Sequence, residues 1–212
     1  MKTTDVINRL AQLRVIPVIV LENAADALPL AEALLAGGLP CAEITFRTAA
    51  ALEAIRVMAQ VPGLLVGAGT VLKPEQAEAA ADAGAQFIVT PGFNPRVVGY
   101  CVDHGIPITP GASNPTDISL ALDHGLEVVK FFPAEAMGGL KTLKAIAAPF
   151  GAVRYIPTGG IEPSNLRDYL AFPKVVACGG SWIVKPEYLK ARDWAVVTAL
   201  AREAVAFAHA PK

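Results

Sequence analysis

The sequence is poor in charged residues and in long apolar runs, and each shortage excludes a class of protein. Charged residues make up 17% of the 212 residues, and the formal net charge is -1. Lysine and arginine are not concentrated in any stretch, so we expect no nucleic-acid partner and no anionic membrane partner. No apolar run reaches the roughly 18–20 residues that a transmembrane helix needs, so we expect no membrane span.

Cysteine and histidine are also scarce. The three cysteines, Cys41, Cys101 and Cys178, are widely spaced and odd in number, which favours free buried thiols in a reducing compartment. The three histidines lack metal-site spacing, so we expect no metal and no cofactor. The polar first 14 residues lack the apolar segment of a signal peptide and are typical of a short amphipathic helix. These features predict a cytoplasmic protein.

What the sequence does contain is a regular alternation of apolar strand-like runs with alanine-rich helical stretches. This alternation predicts a single (β/α)8 TIM barrel domain over residues 1–212, with a short N-terminal helix. An open doubly wound sheet is the alternative, and it is disfavoured because no glycine-rich turn follows the first strand. The eight candidate strands begin at Val15, Cys41, Leu64, Gln86, Ile106, Glu127, Arg154 and Val175.

Polar side chains alternate with apolar ones along the second candidate strand. In AEITFR (42–47), the apolar side chains fall on one face, and Glu43, Thr45 and Arg47 fall on the other. We expect the apolar face to pack on the helices and the polar face to point into the barrel, with Arg47 at its mouth. A purely structural Glu–Arg pair inside the barrel is the alternative.

The sixth candidate strand, EVVKFF (127–132), carries a lysine in the middle of a buried run. If Lys130 faces the lumen, its neighbours on that face are the apolar Val128 and Phe132. Burial disfavours the charged form of an amine, and the neutral amine is the nucleophile that forms a Schiff base. A lysine that extends from the strand end to water is the alternative. We favour the nucleophile because Glu43 and Arg47 occupy matching positions on another strand.

Glycine pairs end the last two candidate strands, at TGG (158–160) and GGS (179–181). Barrels often bind phosphate with the loops after these two strands, where glycine lets the backbone approach the anion and Ser181 can add a hydroxyl. GAGT (67–70) places the Thr70 hydroxyl where it could meet a ligand carboxylate or carbonyl, with turn chemistry as the alternative, and for TPG (90–92) taken alone we favour turn chemistry. The pattern therefore predicts an anion site at the mouth of the barrel.

The chain resembles, over nearly its whole length, the family of bacterial 2-keto-3-deoxy-6-phosphogluconate (KDPG) and 4-hydroxy-2-oxoglutarate (KHG) aldolases, and six segments carry the resemblance. The pair KFFPAE and EITFRT is very specific to that family, and the shared order and spacing make chance similarity implausible. The segments are AEITFRT (42–48), VGAGTVL (66–72), FIVTPG (87–92), KFFPAE (130–135), PTGGI (157–161) and CGGSW (178–182).

The resemblance implies a metal-free class I aldolase, typically a homotrimer, that acts on small 2-keto-4-hydroxy acids. Lys130 would form the Schiff base, and Glu43 would be the general acid and base. The family's substrate-binding residues map onto Arg47, Thr70, Pro91, Phe132 and Thr158, and its phosphate-binding residues map onto Gly159, Gly160, Gly180 and Ser181.

One departure from the family concerns the end of the first strand, where some members carry a phosphate-binding arginine. This chain has Leu21 and Glu22 there, which leaves the phosphate to backbone groups and Ser181. An aldolase for the epimer 2-keto-3-deoxy-6-phosphogalactonate is the nearest alternative. An imine-free phosphate-binding isomerase or synthase and a non-catalytic phosphosugar-binding regulator remain as further alternatives.

Overall fold

The computed structural model describes residues 2–210 as a ring of short parallel strands surrounded by helices. The strands are β1 (Val15–Ile19), β2 (Cys41–Thr45), β3 (Leu65–Gly69), β4 (Phe87–Val89), β5 (Ile108–Thr109), β6 (Gly111–Ala112), β7 (Val128–Phe131), β8 (Arg154–Pro157) and β9 (Cys178–Gly180). The helices are α1 (Thr3–Leu13), α2 (Ala27–Ala36), α3 (Ala51–Ala59), α4 (Pro74–Asp82), α5 (Pro95–Asp103), α6 (Pro115–Asp123), α7 (Gly139–Ala147), α8 (Pro163–Leu170), α9 (Pro186–Ala191) and α10 (Trp194–His209), with two 3-10 turns at Ala24–Asp26 and Trp182–Val184.

The fifth predicted strand is divided into β5 and β6 by Pro110, which corrects the count of strand segments from eight to nine among the described residues. Proline has no backbone N–H to donate to a ladder, so pairing is interrupted there. β5 pairs with β4 on one side and β6 pairs with β7 on the other, so the two pieces occupy one position of the ring. The carbonyl of Pro110 still accepts a bond of 2.8 Å from the N–H of Lys130.

Parallel pairing runs in the order β5-β4-β3-β2-β1-β9 in one sheet and β6-β7-β8 in the other. Parallel bridges from Tyr155 to Val175 and from Thr158 to Gly179 join β8 to β9. Together with the shared position of β5 and β6, these bridges close the ring. The predicted (β/α)8 barrel fold is therefore confirmed.

Side chains alternate between two apolar layers, as the period of two along a strand requires. Ala42 and Ile44 of β2 belong to the layer between strands and helices, while Cys41 belongs to the inner layer. The predicted N-terminal helix is present as α1, and its buried residues, including Leu10, pack into the inner layer. Full burial of such a side chain stabilises by about 1.5–3 kcal/mol. α1 therefore contributes apolar side chains to the inside of the barrel and not only to its surface.

Five of the helices, α4, α5, α6, α8 and α9, start with proline in their first turn. Proline suits this position because its fixed φ matches the helix and its missing N–H has no partner there in any case. Asn94 and Asn114 cap α5 and α6 through their side chains. These signals end each loop sharply and keep the strand-to-helix loops short.

Two expectations from composition can be checked within residues 2–210. The three cysteines are free and buried. In this part of the chain, no helix combines the length and the apolar character needed to cross a membrane.

Candidate active site

Lys130 and Glu43 face each other across the inside of the barrel. Lys130 is the third residue of β7 and Glu43 the third of β2, and these strands are the sixth and second positions of the eight-membered ring, which are opposite each other. The Lys130 Nζ and the Glu43 Oε1 are 3.4 Å apart, and the residues are 5% and 2% exposed. A buried ion pair is weak evidence for stability, because desolvation offsets its attraction. The pair therefore suggests chemistry.

The alternation expected along β2 and β7 is confirmed. Val128 belongs to the inner layer and Phe131 to the outer one, which leaves Lys130 facing inwards. The Thr45 hydroxyl donates a 2.7 Å bond to the Ile19 carbonyl, so this inward polar group is satisfied by the neighbouring strand. The ion pair that Glu43 makes in the described residues is with Lys130, and Arg47 lies beyond the strand end.

Gly69, the last residue of β3, leaves the space that the Glu43 carboxylate occupies. A Cβ at Gly69 would lie 2.3 Å from the Glu43 Oε1 and 2.8 Å from its Cγ. The next residue, Thr70, has φ of 56°, a left-handed conformation that is unusual for a β-branched residue. Such strained residues occur preferentially at functional sites. Gly69 was not singled out from the sequence, although it belongs to the GAGT segment.

Phe132 directly follows the strand of Lys130, and Pro91 lies against the neighbouring strand β6. The Lys130 Nζ lies 5.0 Å from the centroid of the Phe132 ring, within range of a cation–π contact when the amine is charged. The Pro91 backbone lies against Gly111, which is the register partner of Lys130, because a Cβ at Gly111 would be 2.3 Å from the Pro91 carbonyl.

Thr90 holds this turn in place, whereas the residue pattern of TPG by itself had indicated turn chemistry. Its buried hydroxyl accepts a 3.1 Å bond from the Gly111 N–H and donates a 2.7 Å bond to the Gly92 carbonyl. The turn after β4 is thereby tied to β6, the strand next to Lys130. Thr90, which the sequence did not single out, is therefore the residue of the TPG segment that fixes the turn.

A cavity of about 360 Å³ opens at the carboxyl ends of β1, β8 and β9. Most of the residues that were predicted to bind substrate and phosphate line this cavity. Lys130, Glu43, Thr70 and Pro91 are not part of its lining, although the Phe132 ring that Lys130 approaches is. The predicted residues in its wall are Arg47, Phe132, Thr158, Gly159, Gly160, Gly180 and Ser181.

The turn after β8 has a conformation that favours glycine. Gly159 and Gly160 have φ of 97° and 78°, in the left-handed region. A Cβ at Gly179 would lie 2.4 Å from the Thr158 Oγ1, so the two strand ends meet closely at the wall of the cavity. Backbone bonds from Ala134 to the Thr158 carbonyl (2.8 Å) and from Glu135 to the Gly159 carbonyl (3.0 Å) fix this turn.

The charges in the cavity wall are mixed. Arg47 and Glu162 line the same cavity, and the sequence had not predicted Glu162 to lie at the site. Glu162 forms a capping box with Asn165 at the start of α8. Leu21 follows the first strand, where some members of the family carry an arginine. It is 1% exposed and packs within the outer apolar layer.

The comparisons with known proteins agree with this geometry. The sequence profile of the family described as KDPG and KHG aldolase matches residues 6–200. The 2-dehydro-3-deoxy-phosphogluconate aldolase of Treponema pallidum is 54% identical over 92% of this chain and 93% of that protein. The KHG/KDPG aldolase of Escherichia coli K12 is 50% identical over 90% of both chains.

A solved structure shows the same fold. The KDPG aldolase of Legionella pneumophila, captured with pyruvate at low pH as a covalent carbinolamine, superposes with a TM-score of 0.91 at 40% identity, over 96% of this chain and 98% of that one. A closed barrel with an inward lysine and carboxylate beside an open cavity therefore defines a carbon–carbon lyase of the aldolase class. The chain belongs to the KDPG and KHG aldolase family.

Proposed function

We propose that this chain cleaves KDPG to pyruvate and glyceraldehyde 3-phosphate, and KHG to pyruvate and glyoxylate, through an imine at Lys130. The observation that carries the proposal is the pair of Lys130 and Glu43, 3.4 Å apart inside the barrel and almost completely buried. A buried amine next to a carboxylate provides a nucleophile and a group that can move its protons. The names of the relatives at 50–54% identity support the choice of substrates.

The reaction begins with the neutral Lys130 amine, which attacks the C2 carbonyl and, after loss of water, forms a cationic imine. Glu43 accepts the proton of the C4 hydroxyl, the C3–C4 bond breaks, and the bonding electrons pass into the imine to form an enamine. The aldehyde leaves, and a proton returns to C3 from Glu43. Water then hydrolyses the imine, which releases pyruvate and restores the amine.

The substrate is held at both ends. Arg47 binds the pyruvyl carboxylate, since its planar guanidinium can donate two parallel bonds to a carboxylate. Thr70 contributes a hydroxyl to the same end, while Phe132, Pro91 and Thr158 shape the pocket around the reacting carbons. Arg47, Phe132 and Thr158 support this arrangement because they share one cavity.

The phosphate is bound by the turns after β8 and β9, through Gly159, Gly160, Gly180 and Ser181. The left-handed glycines support this assignment, because they let the backbone approach an anion without a side chain between them. With Leu21 buried at the end of β1, no arginine side chain contributes from that position. Phosphate affinity then depends on the shape of the turn more than on charge.

We further propose that residues 1–212 act as one barrel domain, in the cytoplasm, as a homotrimer and without a metal or other cofactor. The resemblance to the family supports the trimer, and analytical ultracentrifugation tests it. The galactonate epimer remains a competing substrate, and a comparison of kcat/KM for the two epimers distinguishes the two aldolases.

The test of the imine is borohydride trapping. The protein is incubated with pyruvate and sodium borohydride, digested, and analysed by mass spectrometry. We expect a stable adduct on Lys130, and we expect none in Lys130→Met, which removes the nucleophile while keeping an unbranched side chain. The absence of an adduct in folded wild-type protein would favour an imine-free phosphate barrel.

A further inference from the structure

Glu135 is the last residue of the KFFPAE segment, and the reaction above gives it no role. It lies in the loop between β7 and α7, outside the lining of the cavity. Its carboxylate Oε1 accepts a hydrogen bond from the hydroxyl of Tyr169 in α8. The Tyr169 side chain is 1% exposed, so this phenol is a fixed anchor for a carboxylate that would otherwise be mobile.

The backbone at Glu135 is joined directly to the turn that carries the phosphate-binding glycines. The Glu135 N–H donates to the Gly159 carbonyl at 3.0 Å, and the Ala134 N–H donates to the Thr158 carbonyl at 2.8 Å. A Cβ at Gly160 would lie 2.6 Å from the Glu135 Cβ, so the stem of Glu135 packs against this glycine. A movement of Glu135 must therefore move the turn.

The hydrogen bond between Tyr169 and Glu135 lies in a space that a third glycine leaves open. A Cβ at Gly139, the first residue of α7, would lie 3.1 Å from the Glu135 Oε1 and 3.4 Å from the Tyr169 hydroxyl oxygen. Burial and the neighbouring Glu135 carboxylate raise the pKa of the Tyr169 phenol, so it remains a hydrogen-bond donor at neutral pH. Three segments, the β7–α7 loop, α7 and α8, thus meet behind the turn.

We propose that Tyr169 and Glu135 are a positioning pair that holds the Gly159–Gly160 turn in the shape that binds the substrate phosphate. This inference rests on the proposed function and names the residues that set the affinity of its anion site. The pair acts on the distal end of the substrate and not on the imine. Lys130 is held separately by the barrel, because its backbone N–H donates a 2.8 Å hydrogen bond to the Pro110 carbonyl.

The test compares KDPG with 2-keto-3-deoxygluconate, the same carbon chain without the phosphate, in Tyr169→Phe. This variant removes the hydroxyl and keeps the buried ring. We expect KM for KDPG to rise roughly 10- to 100-fold, the effect of one lost hydrogen bond to a charged group. We expect KM for 2-keto-3-deoxygluconate to stay within about twofold of the wild-type value. Inorganic phosphate should become a weaker inhibitor, with its inhibition constant raised by about the same factor as KM for KDPG.

Tyr155→Phe is the matched control. The Tyr155 hydroxyl is also buried, but it has no hydrogen-bond partner among the described residues. The same atom is removed from a buried tyrosine in the outer layer of the barrel wall, so KM should not change differently for the two substrates. Glu135→Gln keeps an acceptor oxygen and should retain part of the KDPG affinity, and it replaces Tyr169→Phe if that variant does not fold.

Borohydride trapping with pyruvate on each variant separates the two proposals. If wild-type protein forms no adduct on Lys130, the proposed function fails. If every variant forms the adduct and KM changes equally for both substrates, or for neither, the positioning pair is refuted while the aldolase stands. A rise in KM for KDPG alone, together with weaker inhibition by phosphate and an unchanged kcat, supports the pair.

Discussion

The position of the Glu43 carboxylate depends on the absence of a side chain at Gly69, and Gly69→Ala tests this dependence. A Cβ at this position would be 2.3 Å from the Glu43 Oε1 and 2.9 Å from its Cδ. Ordinary contacts begin near 3.4 Å, so the carboxylate must move by about 1 Å. Gly69 does not have a positive φ, so alanine adds this contact without backbone strain.

A displacement of this size affects the group that would move the C4 proton. A misplacement of about 1 Å at a reacting group can reduce turnover about 100-fold. We therefore expect kcat for KDPG cleavage to fall roughly 30- to 300-fold in Gly69→Ala, while pyruvate still forms a trapped adduct on Lys130. Pyruvate release coupled to lactate dehydrogenase measures turnover, and borohydride trapping measures imine formation.

Gly99→Ala in α5 is the control, because a Cβ there would meet no atom within 4 Å and its φ is not positive. It makes the same chemical change at a position remote from the site, and its kcat should match that of the wild type. A Gly69→Ala variant with wild-type kcat would refute the argument that Glu43 must occupy its observed position. A Gly69→Ala variant that loses both activities would instead indicate damage to the barrel.

Three further predictions concern the cavity and the core. Arg47→Ala should raise KM for every 2-keto acid roughly 10- to 100-fold with kcat less affected, because the charge-assisted bonds of the guanidinium to the carboxylate are lost, and an unchanged KM would remove Arg47 from that role. Glu162→Ser keeps a helix-capping residue and removes a carboxylate from the cavity wall. Its KM for KDPG should fall roughly 2- to 5-fold relative to 2-keto-3-deoxygluconate, as expected for one solvent-screened charge, and an equal change for both substrates would contradict this. Burial raises the pKa of the Cys101 thiol from 9.0 to about 12. This thiol should resist alkylation at pH 8 until the protein unfolds, and the free energy of unfolding should fall as the pH rises above 9, because the unfolded thiol then ionises and the folded one does not. Rapid labelling of Cys101 in native protein at pH 8, measured by mass spectrometry, would contradict this burial.

The inward direction of Glu43 could be predicted because a strand has a period of two and the immediate neighbours of Glu43 are apolar. The strand of Lys130 is apolar on both faces, so the inward direction of Lys130 was inferred from the matching positions of Glu43 and Arg47. The division of the fifth strand at Pro110 could not be predicted with the same certainty. Whether a proline interrupts a ladder depends on which neighbour needs its N–H, and that neighbour is set by the ring as a whole.

The contacts that shape the site were not visible in the sequence for a related reason. Glu135 and Tyr169 are 34 positions apart, and neither the segment KFFPAE nor α8 indicates by its own pattern that they meet. Gly69 looks like an ordinary strand glycine until the carboxylate from β2 is placed against it. Local patterns therefore indicated the groups that we propose to react, whereas the groups that position them depend on tertiary contacts.

The placement of Lys130 and Glu43 on opposite strands has a consequence for folding. The two residues are 87 positions apart in the sequence. No single β–α unit, and no half of the barrel made of four consecutive strand positions, contains both of them. An intermediate with all its strands formed but the ring still open would have native secondary structure and no assembled reaction centre. During refolding, the return of turnover would therefore report closure of the ring, a late, long-range event that circular dichroism of the strands and helices would not detect.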